Sequence, residues 1–401
     1  DWRIKTVYNL TRMFLTGYIR GEYIEMGPYL ELIKHNKVEG YRLNLSGRTS
    51  SKLTKNKMFY GHIGYGTLDR EWKFGAGFKY KFPTGSRRIL TLDYRNDYSK
   101  IGDNGSIFLI KENMMVTGED NIFTAFFTNK PLEQLSREIS YSAEYDHEWR
   151  PGLTNIISYK HRTIYPGKYV PFEINTIPVS HIRTDELTLR LRLTREERYT
   201  DDYCRRYYLN SIYPRFNFLI TGGHYTAGEK SGNYLNARAV IRHDISLGLT
   251  KFYYIFESGI TLGKVPFPLL ETHRTDQSLG YAIYSFNMMN ELEFASDRFV
   301  SVLAQYHLNG LFFNRVPLLK RLGFREVFSA KVLWSHLGNE HKEILDFRHD
   351  YHDARIPYVE VSAGVENILQ YLRADIVWRL SQLDTPGVRG VAFRFRFDVS
   401  F

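Results

Sequence analysis

From Trp72 to Phe82, "WKFGAGFKYKF", every second residue is apolar: Trp72, Phe74, Ala76, Phe78, Tyr80 and Phe82. The positions between them are Lys73, Gly75, Gly77, Lys79 and Lys81. Because successive side chains of a strand point to opposite faces, this alternation predicts a strand with one apolar and one polar face. It recurs along the chain. In "ISYSAEYDHEW" Ile139, Tyr141, Ala143 and Tyr145 oppose Ser140, Ser142, Glu144 and Asp146, and in "LTLRLRLT" four leucines oppose Arg190 and Arg192. "YLRADIVWRL" sets Leu372, Ala374, Ile376, Trp378 and Leu380 against Arg373, Asp375 and Arg379, and "VAFRFRFDVSF" runs Val391, Phe393, Phe395, Phe397, Val399, Phe401. These segments span roughly nine to twelve residues, longer than the roughly five or six of soluble sheets and matched to a tilted strand crossing a bilayer.

The pattern predicts strands near 16–27, 38–49, 57–66, 72–82, 87–97, 137–149, 152–163, 185–198, 205–220, 234–247, 251–263, 299–309, 325–335, 358–366, 371–381 and 390–401. An all-β fold follows, a transmembrane antiparallel β-barrel of about 16 strands with apolar side chains toward lipid and charges toward the lumen. A soluble sandwich would need the reverse. With the C-terminus placed on the periplasmic side, the long connections, 98–135, 164–184, 221–233, 264–298 and 336–357, fall on the outer side. Residues 1–15 read as a periplasmic leader and 16–401 as the barrel, with both chain ends periplasmic. Sixteen strands about 4.8 Å apart and tilted by about 40° enclose a lumen about 32 Å across between backbones. Side chains alone cannot fill it, so a loop, 98–135 or 264–298, is expected to plug it. The final strand is expected to close the barrel against the first.

Composition adds to this picture. Tyr (30) and Phe (27) far outnumber Trp (5), as expected of aromatic girdles at membrane interfaces. Mean hydropathy is −0.38, and no apolar run approaches the roughly 20 residues of a spanning helix. Lys and Arg exceed Asp and Glu by 54 − 44, or +10. Both signs alternate all along the chain, which does not make a nucleic-acid surface. The single Cys204 excludes an internal disulfide.

Candidate chemistry is sparse. No GxSxG elbow, phosphate-binding loop, dinucleotide fingerprint or HExxH is present, so neither an enzyme nor a cofactor is expected. "DFRHDYHDAR" gathers His349, Asp350, His352 and Asp353 near Asp346, a weak candidate for a divalent metal. Glu360, Glu366, Arg373, Asp375, Arg379, Arg394, Arg396 and Asp398 share the inward parity of the last strands and are expected to form a lumenal ion-pair network. "PLLKRL" fits a short amphipathic helix, packed in the core or at the interface.

Several runs resemble a known family. "NKVEGYRLNLSGRTS", "HRTIYPGKY", "VPFPLLETH", "FNMMNELEFASDRFVSVLAQYHLNGLFFNRVPLLKRLGFREV" and "GVENILQYLRADIVWRL" are similar to the barrel part of a Bacteroidota outer-membrane family of unknown function, DUF5686, found behind a carboxypeptidase-like regulatory domain. The resemblance implies a periplasmic β-sandwich ahead of Asp1. From about residue 264 the order of loops and strands more distantly resembles barrels of the outer-membrane assembly and two-partner-secretion superfamily. That superfamily carries an Arg-Gly-aromatic motif in its sixth loop. Here "RTDQSLGYAIY" has Gly280-Tyr281 without the preceding arginine, so that residue role is not transferred. Phe393, Phe395, Phe397 and Phe401 are similar to the C-terminal signal read by barrel-assembly machinery. The resemblance implies, as partners, the lipid bilayer and lipopolysaccharide, that machinery, and other outer-membrane proteins in a complex for assembly or export of surface proteins. A transport channel is the alternative.

Overall fold

A computed structural model describes residues 13, 17–102, 133–202, 204–208, 211–276, 278–347 and 353–397. One antiparallel sheet of 18 strands dominates them. Three of these, Ile19–Arg20, Ile24–Met26 and Ile33–Asn36, are short segments at one edge. The other fifteen are β1 (Gly40–Thr49), β2 (Lys57–Gly66), β3 (Trp72–Lys81), β4 (Arg88–Lys100), β5 (Leu135–Arg150), β6 (Leu153–Ile164), β7 (Ile182–Leu193), β8 (Arg215–Ala227), β9 (Lys230–Leu247), β10 (Thr250–Leu262), β11 (Arg298–His307), β12 (Arg325–His336), β13 (Tyr358–Ile368), β14 (Leu372–Arg379) and β15 (Val391–Phe397). Each pairs with the next. Ile24–Met26 and Ile33–Asn36 both pair with β1, so the first strand position, expected as 16–27, is a broken strand.

The burial of the two faces is inverted relative to a soluble sheet. Tyr41, Leu43, Phe59, Trp72, Phe74, Leu187, Leu189, Phe393 and Phe395 are exposed, while Arg42, Asn44, Lys73, Arg162, Arg238, Lys331, Glu360 and Arg373 are buried. Water would not leave a belt of that size uncovered. A hydrocarbon layer does, and it requires the backbone hydrogen bonding that the ladders supply. Among the described residues no helix is long and apolar enough to cross a membrane.

One predicted strand is displaced. The alternation read as 205–220 belongs to β8, which starts at Arg215 and continues through Gly222 and Gly223 to Ala227. The sequence pattern places an outer connection at 221–233. In the ladder Gly223 faces Tyr234, and a Cβ on Gly223 would meet that ring at 2.3 Å. Gly232 likewise faces Tyr225. Cross-strand rings thus cover the bare backbone, and the expected outer loop is a two-residue turn, Gly228-Glu229. Tyr199–Asp202 and Arg205–Tyr208 instead make a separate hairpin inside the connection 194–214, on the opposite rim. The long connections are therefore not confined to one side.

Candidate functional site at the lumen and seam

The connection between β10 and β11, residues 263–297, folds into the lumen. Its side chains join several apolar clusters against the wall: Val265, Phe267, Leu269 and Leu270 pack with Ile182, Tyr225 and Tyr234 near one rim. Phe286, Met289 and Phe294 pack with Phe299, Leu333 and Tyr358, and Tyr284 packs with Tyr253 and Ile255. The loop is thus a plug with its own core, which offsets the entropy of ordering it. The second candidate plug, 98–135, has residues 103–132 outside the described set.

Inward charges of the wall hold the plug's backbone. Glu360 accepts the N–H groups of Asn287 and Met288, each at 2.9 Å, and the Tyr358 hydroxyl, also at 2.9 Å. Lys331 Nζ lies 3.7 Å from Glu360 and donates to Ala282 O at 2.6 Å. Arg379 Nη2 donates to Glu293 at 2.6 Å, and its Nη1 to Met288 O at 3.3 Å. Arg394 donates to Asn287 O, while its Nε and Nη1 find no hydrogen-bond partner among the described residues. The half-buried Arg396 reaches Tyr281 O at 3.4 Å.

Arg373, fully buried, is the hub. It donates to Asp375 through Nε (2.7 Å) and Nη2 (2.9 Å), and through Nη1 to Glu366 (3.1 Å) and Gln305 (3.2 Å). Its guanidinium lies 4.2 Å from the centroid of the Tyr281 ring, whose hydroxyl donates to Ser329 at 2.6 Å. An arginine therefore does stand beside the plug's Gly-aromatic pair, supplied by β14. Of the expected network, Glu360, Glu366, Arg373, Asp375, Arg379 and Arg394 face the lumen, and Arg379 pairs with the plug instead of a neighbouring strand. Asp398 and Phe401 lie outside the described residues. Lys331, Asn287 and Glu293 were missed by sequence reasoning; the local signal that could have pointed to the plug is the uncharged run "QSLGYAIYSFNMMN".

The plug also touches the seam. β15 pairs with β14 through one edge. At its other edge Tyr281 N–H donates to Phe395 O at 2.7 Å and Phe395 N–H donates to Leu279 O at 2.9 Å, a parallel bridge centred on Gly280. The Phe395 side chain points outward with Phe393 and Phe397. Among the described residues no ladder joins β15 to the first strand, so the edge expected to close the barrel is held by the plug.

The metal candidates do not assemble. His349, Asp350 and His352 lie outside the described residues, Asp353 accepts from Arg355 at 2.7 Å, and Asp346 accepts from Thr176 N–H at 3.2 Å. Another group, Asp297, Glu340 and His341, has suitable spacing. Yet His341 Nδ1 accepts from Val265 N–H at 3.2 Å, so a neutral ring carries its proton on Nε2, 3.6 Å from Asp297. A ligating histidine donates its second N–H outward, the reverse of this. The group is a clasp between two connections at one rim. Burial pushes the Asp297 carboxyl up, but His341, His336, Gly338 N–H and Arg298 outweigh it and hold it well below the usual carboxylate range.

The wall–plug contacts make a prediction. Glu360→Leu leaves two plug N–H groups unpaired and Lys331 without its counter-charge, a loss of about 3–5 kcal/mol for a broken buried pair. Chymotrypsin added to the folded, detergent-solubilised variant should cut within 279–289, where the native protein resists. Equal resistance would mean that Glu360 does not hold the plug.

An inverted sheet with a charged, plugged lumen defines an outer-membrane β-barrel protein. The chain belongs to the family of unknown function DUF5686, whose C-terminal domain it matches over residues 16–345. Its fold is similar to that of BamA from Haemophilus ducreyi lacking POTRA domains 1-3, at 10% identity, 90% of this chain, 68% of that one and a TM-score of 0.51. CdiB from Escherichia coli aligns at 8% identity over 91% of this chain and 61% of that one, with a TM-score of 0.46. No curated protein matches the sequence.

Proposed function

We propose that this chain is the membrane barrel of a non-enzymatic outer-membrane component that helps assemble or export surface proteins, with its chain ends on the periplasmic side. The observation that carries this reading is the edge of β15, held by two backbone hydrogen bonds to the plug, through Leu279 and Tyr281, where a barrel that only seals would carry a full ladder. Such an edge offers unpaired backbone groups to another strand whenever the plug withdraws. The resemblance from residue 264 onward to assembly and secretion barrels points the same way.

Depleting the protein in its native cells and quantifying the outer-membrane proteome tests this. Levels of other barrels or surface lipoproteins should fall before growth does. Unchanged levels of all of them would remove the assembly and export reading. The alternative, a transport channel, needs an open lumen, and stable large conductance in planar bilayers would favour it.

A further inference from the structure

The rim opposite the plug's attachment carries a feature that neither the lumen nor the seam uses. Between β11 and β12 the chain forms a 3-10 turn, Phe313–Arg315, and a one-and-a-half-turn helix, α1 (Pro317–Leu322), ended by Gly323 at φ 68°. The segment is fastened. The buried Glu326 carboxylate accepts Gly310 and Phe312 N–H at 2.9 Å each, and Phe313 N–H as well. Asn309 donates to Leu249 O and Asn367 to Gly323 O, both at 2.7 Å. Held this way, it exposes Leu311, Phe312, Val316, Leu318 and Leu322, and the adjoining turns add Leu249, Leu369 and Tyr371.

Charge on this patch has one sign. Residues 308–325 contain Arg315, Lys320, Arg321 and Arg325 and no Asp or Glu. All four cations are exposed, and none makes an ion pair among the described residues. In the barrel wall, by contrast, the buried Arg373, Arg379 and Arg238 each find a carboxylate within 3.3 Å.

We propose that residues 308–324 form an in-plane anchor that binds the headgroups of anionic phospholipids in the leaflet at this rim. The leucines and Phe312 continue the lipid-facing belt into the interface, and the cations extend their stems from it toward phosphate. A leaflet supplies the required negative charge and the apolar layer together. Each cation near an anionic surface adds attraction that salt weakens.

Native mass spectrometry of the full chain, released from micelles holding equal phosphatidylglycerol and phosphatidylcholine, reads the preference directly. The native protein should retain phosphatidylglycerol, and R315Q/K320Q/R321Q should lose that preference by roughly fivefold per charge removed. Leu318→Asp, which leaves the cations in place, should lose hydrogen-exchange protection of 308–324 in phosphatidylglycerol nanodiscs while keeping that of the strands, which shows it still folds. Equal retention by the triple variant, or protection of the segment only by a co-purifying soluble protein, overturns the proposal. Depletion phenotypes do not enter either readout, so this test stands apart from the assembly role.

Discussion

Arg373→Met is expected to be the most destabilising single substitution in the barrel. Methionine keeps the length of the side chain and removes its charge, leaving Asp375 and Glu366 as buried carboxylates without their common partner. His307 Nδ1, 2.9 Å from Glu366, and the Ser362 hydroxyl, 3.2 Å from Asp375, remain but cannot replace a guanidinium that made four donations. Breaking a buried pair in this way loses about 3–5 kcal/mol. The ring of Tyr281 also loses its cation, and with it the contact that links the wall to the plug beside Gly280. The urea midpoint of the detergent-folded protein should drop, together with the temperature at which the compact band disappears on a denaturing gel. Because a buried pair exchanged for apolar groups is often neutral, Arg373→Met with Asp375→Leu should recover part of the loss. An unchanged midpoint in the single variant would show that the hub is dispensable.

The strands were legible because lipid and lumen each impose a choice at every second residue. Trp72 to Phe82 reads as a strand from sequence and is one in the structure through Lys81. The same rule placed Arg373, Asp375 and Arg379 on one face before any contact was known. It failed where the face was bare: the Gly222-Gly223 pair carries no side chain to signal parity, and the cover over Gly223 comes from Tyr234 on the next strand. Parity also says nothing about a partner off the sheet. Lys331 is one inward lysine among many in the sequence, and only the folded plug shows that it reaches Ala282 O, 49 residues away. The seam contact is further still from local pattern, since Gly280 and Phe395 are 115 positions apart. Its only trace in the sequence was an uncharged run in a chain that is otherwise charged throughout.

Locking that contact is expected to abolish function without disturbing the fold. Gly280 and Phe395 face each other across a two-bond parallel bridge, and bridged backbones bring Cα atoms into the roughly 4.4–6.8 Å range that a disulfide spans. In a Cys204→Ala background, Gly280→Cys with Phe395→Cys should therefore cross-link under mild oxidation, visible as a disulfide-linked peptide in a digest. The native Cys204 is buried and is the one cysteine of the sequence, so removing it clears the assignment. The single-cysteine variants control for the loss of a lipid-facing phenylalanine from the terminal strand. If the edge of β15 must be released to receive another strand, cells relying on the oxidised double variant should show the same fall in surface proteins as depleted cells, and a reductant should reverse it. A locked protein that sustains normal levels would mean that the plug never leaves the seam during function. The barrel would then act as an anchor, with the work done elsewhere in its complex.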